Sequence, residues 1–263
     1  MIKNYFIPKT LEEAVSLKKT HGEGAKYLAG GTELNLRINK EKYHTFIDLR
    51  EINCDKIEKL EDGSLAIGAG VTFQTLSTDS RVPQQLKKAA TYMESRNVRN
   101  MATLGGNIGS GRTMGDLLPT LMVLDARVKL VGKNTLVTVE DYIHNRQDDL
   151  IEKVVIHGKD LNRSFGSRVH MRTSNDISIV GAAATYEVVD GRVYGIKIAL
   201  GGVAKKVIRL REVEKALEGQ EASRDLVVNL VKSHIDPLGD VRGSKEFKSY
   251  MAAELVLESL GIN

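Results

Sequence analysis

The sequence predicts an α+β protein built in two parts, and three features carry that reading. Its first third alternates short apolar runs with a helical pattern, as a parallel βαβ unit does. Two glycine-dense segments, residues 27–34 and 103–115, interrupt that alternation. Beyond residue 158 the rhythm changes to longer strands followed by helices, the mark of a separate α+β unit. A length of 263 residues fits one large domain or two small ones. Hydrophobic residues at 41% and charged residues at 27% are ordinary for a chain with a buried core. Collagen-like, coiled-coil and disordered classes are excluded.

Residues 11–19 place Leu11, Ala14 and Val15 at helical spacing, with Thr10 before them and Glu13 three residues on, a capping-box pattern. Residues 25–29, 45–49 and 64–69 are the strand runs around that helix. A second helix is predicted over 82–92, and a third from near Asp116. Residues 127–131 and 136–139 form a hairpin through Gly132-Lys133-Asn134, and residues 150–157 form another strand. Gly158-Lys159-Asp160 is the boundary. After it, residues 177–188 and 193–200 pair through Asp190-Gly191, a hairpin turn pair. Helices are predicted over 211–218, 223–234 and 245–260.

Lys and Arg number 38 against 34 Asp and Glu, a net charge of +4, and the two signs are interleaved, as in Lys56-Ile57-Glu58-Lys59. A nucleic-acid surface concentrates its basic residues in a stripe, so no nucleic-acid partner is expected. The single cysteine, Cys54, excludes an intrachain disulfide, a cysteine-rich zinc site and an iron–sulfur cluster ligated by this chain alone. The most apolar stretch, residues 117–124, is interrupted by Pro119 and falls far short of the roughly 20 residues of a membrane span. With no run fit for a signal peptide, a cytoplasmic protein without membrane insertion is expected. The six histidines are scattered, and no Walker lysine, serine elbow or paired-histidine zinc helix is present. No catalytic or metal-binding residue is therefore expected. Gly68-Ala69-Gly70 begins like a Rossmann turn but lacks the third glycine, and no suitable helix is expected after it.

The chemistry concentrates in the glycine segments. In YLAGGTEL (residues 27–34) a strand feeds two glycines, which let successive N–H groups converge on an anion. Alone, it is a weak signal, since a strand followed by Gly-Gly is more often just a tight turn. In TLGGNIGSGRTMGDLLP (residues 103–119), Gly105, Gly106, Gly109, Gly111 and Gly115 sit among Thr103, Asn107, Ser110 and Thr113. Asp116 follows at the expected helix start, where capping is one role and ligand contact another. Two such loops could clamp a dinucleotide pyrophosphate from both sides.

Together these segments resemble the two FAD-pyrophosphate loops of the flavoprotein subunit of molybdenum hydroxylases, such as xanthine dehydrogenase and the medium chain of carbon monoxide dehydrogenase. The resemblance continues through RTSNDISIVGAAA (172–184), IALGGVAKKVIR (198–209) and DPLGDVRGSKEFKSYMAAEL (236–255), so it covers nearly the whole chain. It implies a two-lobed FAD-binding domain of the p-cresol methylhydroxylase type over 1–158, its lobes meeting near residue 58. A small α+β flavoprotein C-terminal domain over 159–263 follows. It implies that Tyr27, Leu28, Ala29, Gly30, Gly31, Thr32, Glu33 and Leu34 cradle the pyrophosphate, and that Thr103, Gly106, Asn107 and Ser110 hold its other side. Asp116 is implied at the adenosine end and Ile151 at a backbone contact. Arg168 is implied near the flavin, and Asp176, of Asn175-Asp176-Ile177, close to the isoalloxazine or as a cap for the next strand. The chain departs from the pattern in two places. It reads Gly111-Arg112-Thr113-Met114 where many relatives carry Ala-Ser-Pro, and Met93 where some place an aromatic over the flavin.

The activity implied is electron transfer. FAD would take electrons from an iron–sulfur partner, itself fed by a molybdopterin-binding large subunit, and pass them to NAD⁺ or another acceptor. The molybdopterin and [2Fe–2S] groups would belong to those partners, in a dimer of heterotrimers. The alternatives are a self-contained FAD oxidoreductase of the same fold and a cofactor-free scaffold. The first needs a proton-transfer residue, while Tyr142 and Tyr186 read as core. The second has no need of the glycine loops.

Overall fold

In this computed structural model the described residues are 2–35, 43–114, 116–145, 148–173 and 176–262, so Gly115 and Asn175 of the motifs above lie outside them. Three short strands, β1 (Asn4–Phe6), β2 (Ala25–Leu28) and β3 (Thr45–Asp48), form a parallel sheet in the order β1-β3-β2. The helix Leu11–His21 connects the first two and begins as its capping pattern predicts. Thr10 Oγ1 accepts the Glu13 N–H at 3.1 Å, and Glu13 reaches back to the Lys9 N–H at 2.8 Å. Its Ala14 is buried with Ala25, Ile47 and Leu150 in a small core.

A second sheet is antiparallel, with β4 (Ile57–Lys59), β5 (Leu65–Gly68), β6 (Arg127–Leu130), β7 (Leu136–Thr138) and β8 (Ile151–Ile156) in the order β4-β5-β8-β6-β7. Five helices fill the connection between β5 and β6: Phe73–Thr78, Gln84–Ala90, Arg96–Met101, Leu104–Ser110 and Leu118–Val123. The third sheet, β9 (Ser164–His170), β10 (Val180–Val189), β11 (Arg192–Gly201) and β12 (Ile208–Arg209), is ordered β12-β11-β10-β9. Asp190 and Gly191 turn β10 into β11 with φ of 49° and 75°, the left-handed pair a two-residue hairpin needs. The helix Lys245–Leu260 backs this sheet, with Ala252, Ala253, Val256 and Leu260 in its core.

Several expectations are corrected. A helix does follow Gly70: Thr72 caps Phe73–Thr78 through the Thr75 N–H at 3.1 Å. The helix foreseen over 82–92 is shorter, Gln84–Ala90, because Pro83 sets its start. Asp116 does not cap the next helix, which begins two residues later at Leu118 without a side-chain cap. β1, β9 and the helices Arg96–Met101 and Leu104–Ser110 are additions that apolar spacing did not signal.

The helix Leu118–Val123 decides how the parts sit together. All six of its residues are buried, and it packs against β9, β10 and β11 on one side and against the helix Val139–Asn145 on another. The core around it therefore runs without a break from the second sheet to Ala183, Ala199 and Val207 of the third. Among the described residues no helix is long and apolar enough to cross a membrane. Leu121 has no exposed surface in this wedge. Leu121→Ala should cost about 2–5 kcal/mol of stability, read as a lowered urea midpoint; an unchanged midpoint would show that the wedge is not a shared core.

Candidate functional site

The first glycine loop leaves β2 and turns at once. A Cβ at Gly30 would stand 1.7 Å from the Met101 carbonyl oxygen, and Gly31 has φ +70°, so larger residues are refused at both positions. The Asn35 N–H closes a helical turn onto the Gly31 carbonyl at 3.0 Å. Such a turn directs its leading amides away from its own hydrogen bonding, as an anion site requires. Thr32 is exposed, and Glu33 and Leu34 are half-buried. Upstream, Leu28 is buried. The Tyr27 phenol is half-buried beside Asp149 and Asp148, and burial with those charges pushes its pKa up to about 12.

The second loop is in fact a helix, Leu104–Ser110, and it spends its amides internally. Leu104 N–H bonds to the Val71 carbonyl (2.9 Å), Gly105 N–H to Ala69 (2.8 Å), Gly106 N–H to Thr103 Oγ1 (3.1 Å) and Asn107 N–H to the Thr103 carbonyl (2.9 Å). Ser110 turns its hydroxyl back onto the Asn107 carbonyl at 2.8 Å. What this loop offers a ligand is therefore the bare face of Gly106 and the side chain of Asn107. Asn107 Oδ1 is buried with no hydrogen-bond partner among the described residues. A buried amide oxygen left alone costs about 1–3 kcal/mol, and a bound group that donates to it would remove that cost.

The two loops meet. A Cβ at Gly106 would lie 3.8 Å from the Ala29 Cβ, and Arg112 is paired with Glu33. Together these contacts bring a turn whose amides fit the pyrophosphate of a dinucleotide beside a wall whose side-chain amide oxygen calls for a donor.

Beyond Arg112 the chain enters a narrow cleft against the third sheet. Thr113 accepts the Gly202 N–H on both its carbonyl and its hydroxyl, each at 3.0 Å. Asp116 accepts from the Ser178 hydroxyl at 2.6 Å. Burial drives the Asp116 carboxyl up to about 7; the Ser178 bond opposes this and the like charge of Glu94 adds to it. Glu94 is itself raised, by burial and then by Asp176. Next to the cleft, with Val169 common to both, lies an open groove of about 530 Å³ lined by Tyr92, Glu94, Arg99, Met171 and Arg172.

The remaining expected site residues line neither the cleft nor the groove. Asp176 is ion-paired to Arg172 at 2.9 Å and takes the Ile177 N–H at 2.8 Å, which holds its carboxyl below the usual range. Arg168 on β9 reaches Glu258 at 3.4 Å and influences the Tyr92 phenol, whose hydroxyl donates to the Ser167 carbonyl at 2.8 Å. Ile151 is buried at the start of β8, and Met93 is buried in the core. Tyr142 is also core, its hydroxyl donating to the Asp149 carbonyl at 2.9 Å. Sequence reasoning missed Ser178 and Glu94, whose contacts with Asp116 bridge distant segments and leave no local signal.

Residues 1–157 match the family model described as the FAD binding domain in molybdopterin dehydrogenase, and residues 167–261 match the CO dehydrogenase flavoprotein C-terminal domain. An uncharacterized protein of Escherichia coli (strain K12), YgfM, is 33% identical, with 98% of this chain and 95% of its own covered. The xanthine dehydrogenase FAD-binding subunit of Escherichia coli O157:H7 is 27% identical over 94% of this chain and 91% of its own. Among solved structures, the carbon monoxide dehydrogenase of Hydrogenophaga pseudoflava that lacks the Mo-pyranopterin moiety superposes with a TM-score of 0.91. That match is 24% identical and covers 99% of this chain and 96% of the other.

The Asp116 carboxyl carries a prediction of its own. With a pKa near 7 folded and about 3.9 unfolded, it holds its proton better in the folded chain. Its contribution to stability therefore falls as pH rises between those values and stays low above them. Asp116→Asn should melt at a higher temperature than the wild type at pH 8, by a margin that shrinks toward pH 5. An equal margin at both pH values would mean that the carboxyl titrates ordinarily.

Proposed function

Because the chain belongs to the family of FAD-binding subunits of molybdenum hydroxylases, we propose that it is the electron-transfer station of such an enzyme, taking electrons from a partner's iron–sulfur clusters and giving them to NAD⁺. The observation that carries this reading is the meeting of the two loops, with Asn107 Oδ1 unsatisfied at their junction. FAD, when bound, supplies the ability to exchange one electron or two. The chain's own residues supply placement and field.

In this reading the amides of the Gly31–Leu34 turn bind the pyrophosphate, with Tyr27, Leu28, Ala29 and Gly30 as their support. Asn107, Gly106, Thr103 and Ser110 form the facing wall. Asp116 contacts the cofactor from the cleft, Ile151 by its backbone, and Arg168 and Asp176 from the third sheet. The groove beside Tyr92 and Arg172 then takes the acceptor, and its arginines suit the phosphates of a nicotinamide dinucleotide. The partners are an iron–sulfur subunit and a molybdopterin-binding subunit, in a dimer of heterotrimers.

The purified chain should be yellow, and its flavin absorbance should bleach on adding NADH without oxygen. A flavin that ignores NADH would move the acceptor elsewhere, and a colourless chain that takes up no FAD would overturn the whole reading. Gly30→Ala, whose new methyl collides with the Met101 carbonyl, should lose most of its FAD through gel filtration while keeping its circular dichroism. Retention at the wild-type level would remove the first loop from the site.

A further inference from the structure

An acidic side chain is out of place beside an anion site, yet Glu33 stands in the turn whose amides suit a pyrophosphate. A carboxylate close to a phosphate repels it unless a cation intervenes. Arg112 is that cation. It reaches across from the second loop, 79 residues away in sequence, and donates through Nη2 to Glu33 Oε1.

The backbone on either side of Arg112 is fixed. Before it, Gly111 ends the helix Leu104–Ser110 in the left-handed conformation, φ 55°, with its N–H on the Ile108 carbonyl at 3.0 Å. After it, Thr113 takes the Gly202 N–H on both its carbonyl and its hydroxyl. The same helix carries the unsatisfied Asn107 Oδ1. Among the described residues Glu33 is the partner of the guanidinium, and it engages one nitrogen of a fork with five N–H donors. Both side chains are partly exposed, and a pair of that kind is held weakly. A phosphate group offers more charge and oxygens that match the fork two at a time, so it is the stronger partner.

We propose that Arg112 grips the pyrophosphate of FAD, and that the cofactor takes it from Glu33. The proposal rests on the FAD-binding reading above. The two residues then act in opposite directions. Arg112 strengthens binding, while Glu33, a competitor for the guanidinium and a like charge to the phosphates, weakens it. A pair that merely braced the two loops would make both residues strengthen it.

The test is a titration of the flavin-free full chain with FAD, followed by flavin fluorescence at neutral pH and low salt. Arg112→Gln should raise the dissociation constant roughly ten- to a hundredfold, the loss expected for a hydrogen bond between charged groups. Glu33→Gln should bind FAD more tightly than the wild type. Arg211→Gln, which removes the same charge from the pair with Glu140, should leave the affinity unchanged. Added salt should weaken binding by the wild type more than by Arg112→Gln. An Arg112→Gln chain that binds FAD as the wild type does would overturn the proposal while leaving FAD binding intact. So would a Glu33→Gln chain that binds no more tightly than the wild type, or an equal loss in Arg211→Gln. If Arg112→Gln does not fold, the sign of the change in Glu33→Gln still decides. A folded wild-type chain that takes up no FAD would overturn both readings.

Discussion

The helix Leu118–Val123 is the constraint from which the rest of the arrangement follows. A helix this apolar, with Thr120 its one polar residue, belongs inside, and this one packs between the third sheet and the helix Val139–Asn145. Because it is short and directly follows the second glycine loop, its burial fixes where that loop ends. Thr113 and Asp116 are carried to the seam as a consequence, and there the third sheet supplies Gly202 and Ser178 to meet them. The C-terminal part is thus one wall of the cleft at this seam.

Charge is distributed around this seam in a consistent way. Its outer rim is laced by ion pairs: Arg211 with Glu140, and Lys197 and Arg209 with Asp125. Asp125 takes a left-handed backbone conformation, φ 46°, just where the chain passes from the wedge into β6. The pair of the exposed Arg211 contributes little stability, whereas Lys197 and Arg209 are largely buried beside Asp125. The cleft itself keeps Asp116, whose carboxyl burial raises and the charge of Glu94 raises further.

The sequence made the regular elements legible and hid the site's construction. The Thr10–Glu13 box and the Asp190-Gly191 hairpin act through neighbours three residues apart or fewer, so their physics is written locally. Leu104–Ser110 was hidden because glycine disfavours helix. What makes it a helix is remote, the carbonyls of Val71 and Ala69 taking its first two amides. The same bonds explain why the second loop has fewer amides to give than its glycines suggest. The role of Asp116 stayed open between cap and ligand contact for a related reason, since its partner lies 62 residues away. The loops themselves were found because Gly30 and Gly31 answer to backbone demands that no other residue meets.

The two loops also divide their work by chemistry. The first turns sharply against Met101, and a turn of that kind suits a charged, sequence-neutral grip on phosphate. The second is helical and satisfied, and so contributes a side-chain amide and a surface without a Cβ. Amides on one wall give affinity for charge, while a lone Oδ1 on the other demands a donor in a fixed place. A simple phosphate ion could satisfy the first wall alone. Only a ligand that carries both an anion and a hydroxyl or amine a short distance away satisfies both. That pairing of demands favours an extended nucleotide over a small anion.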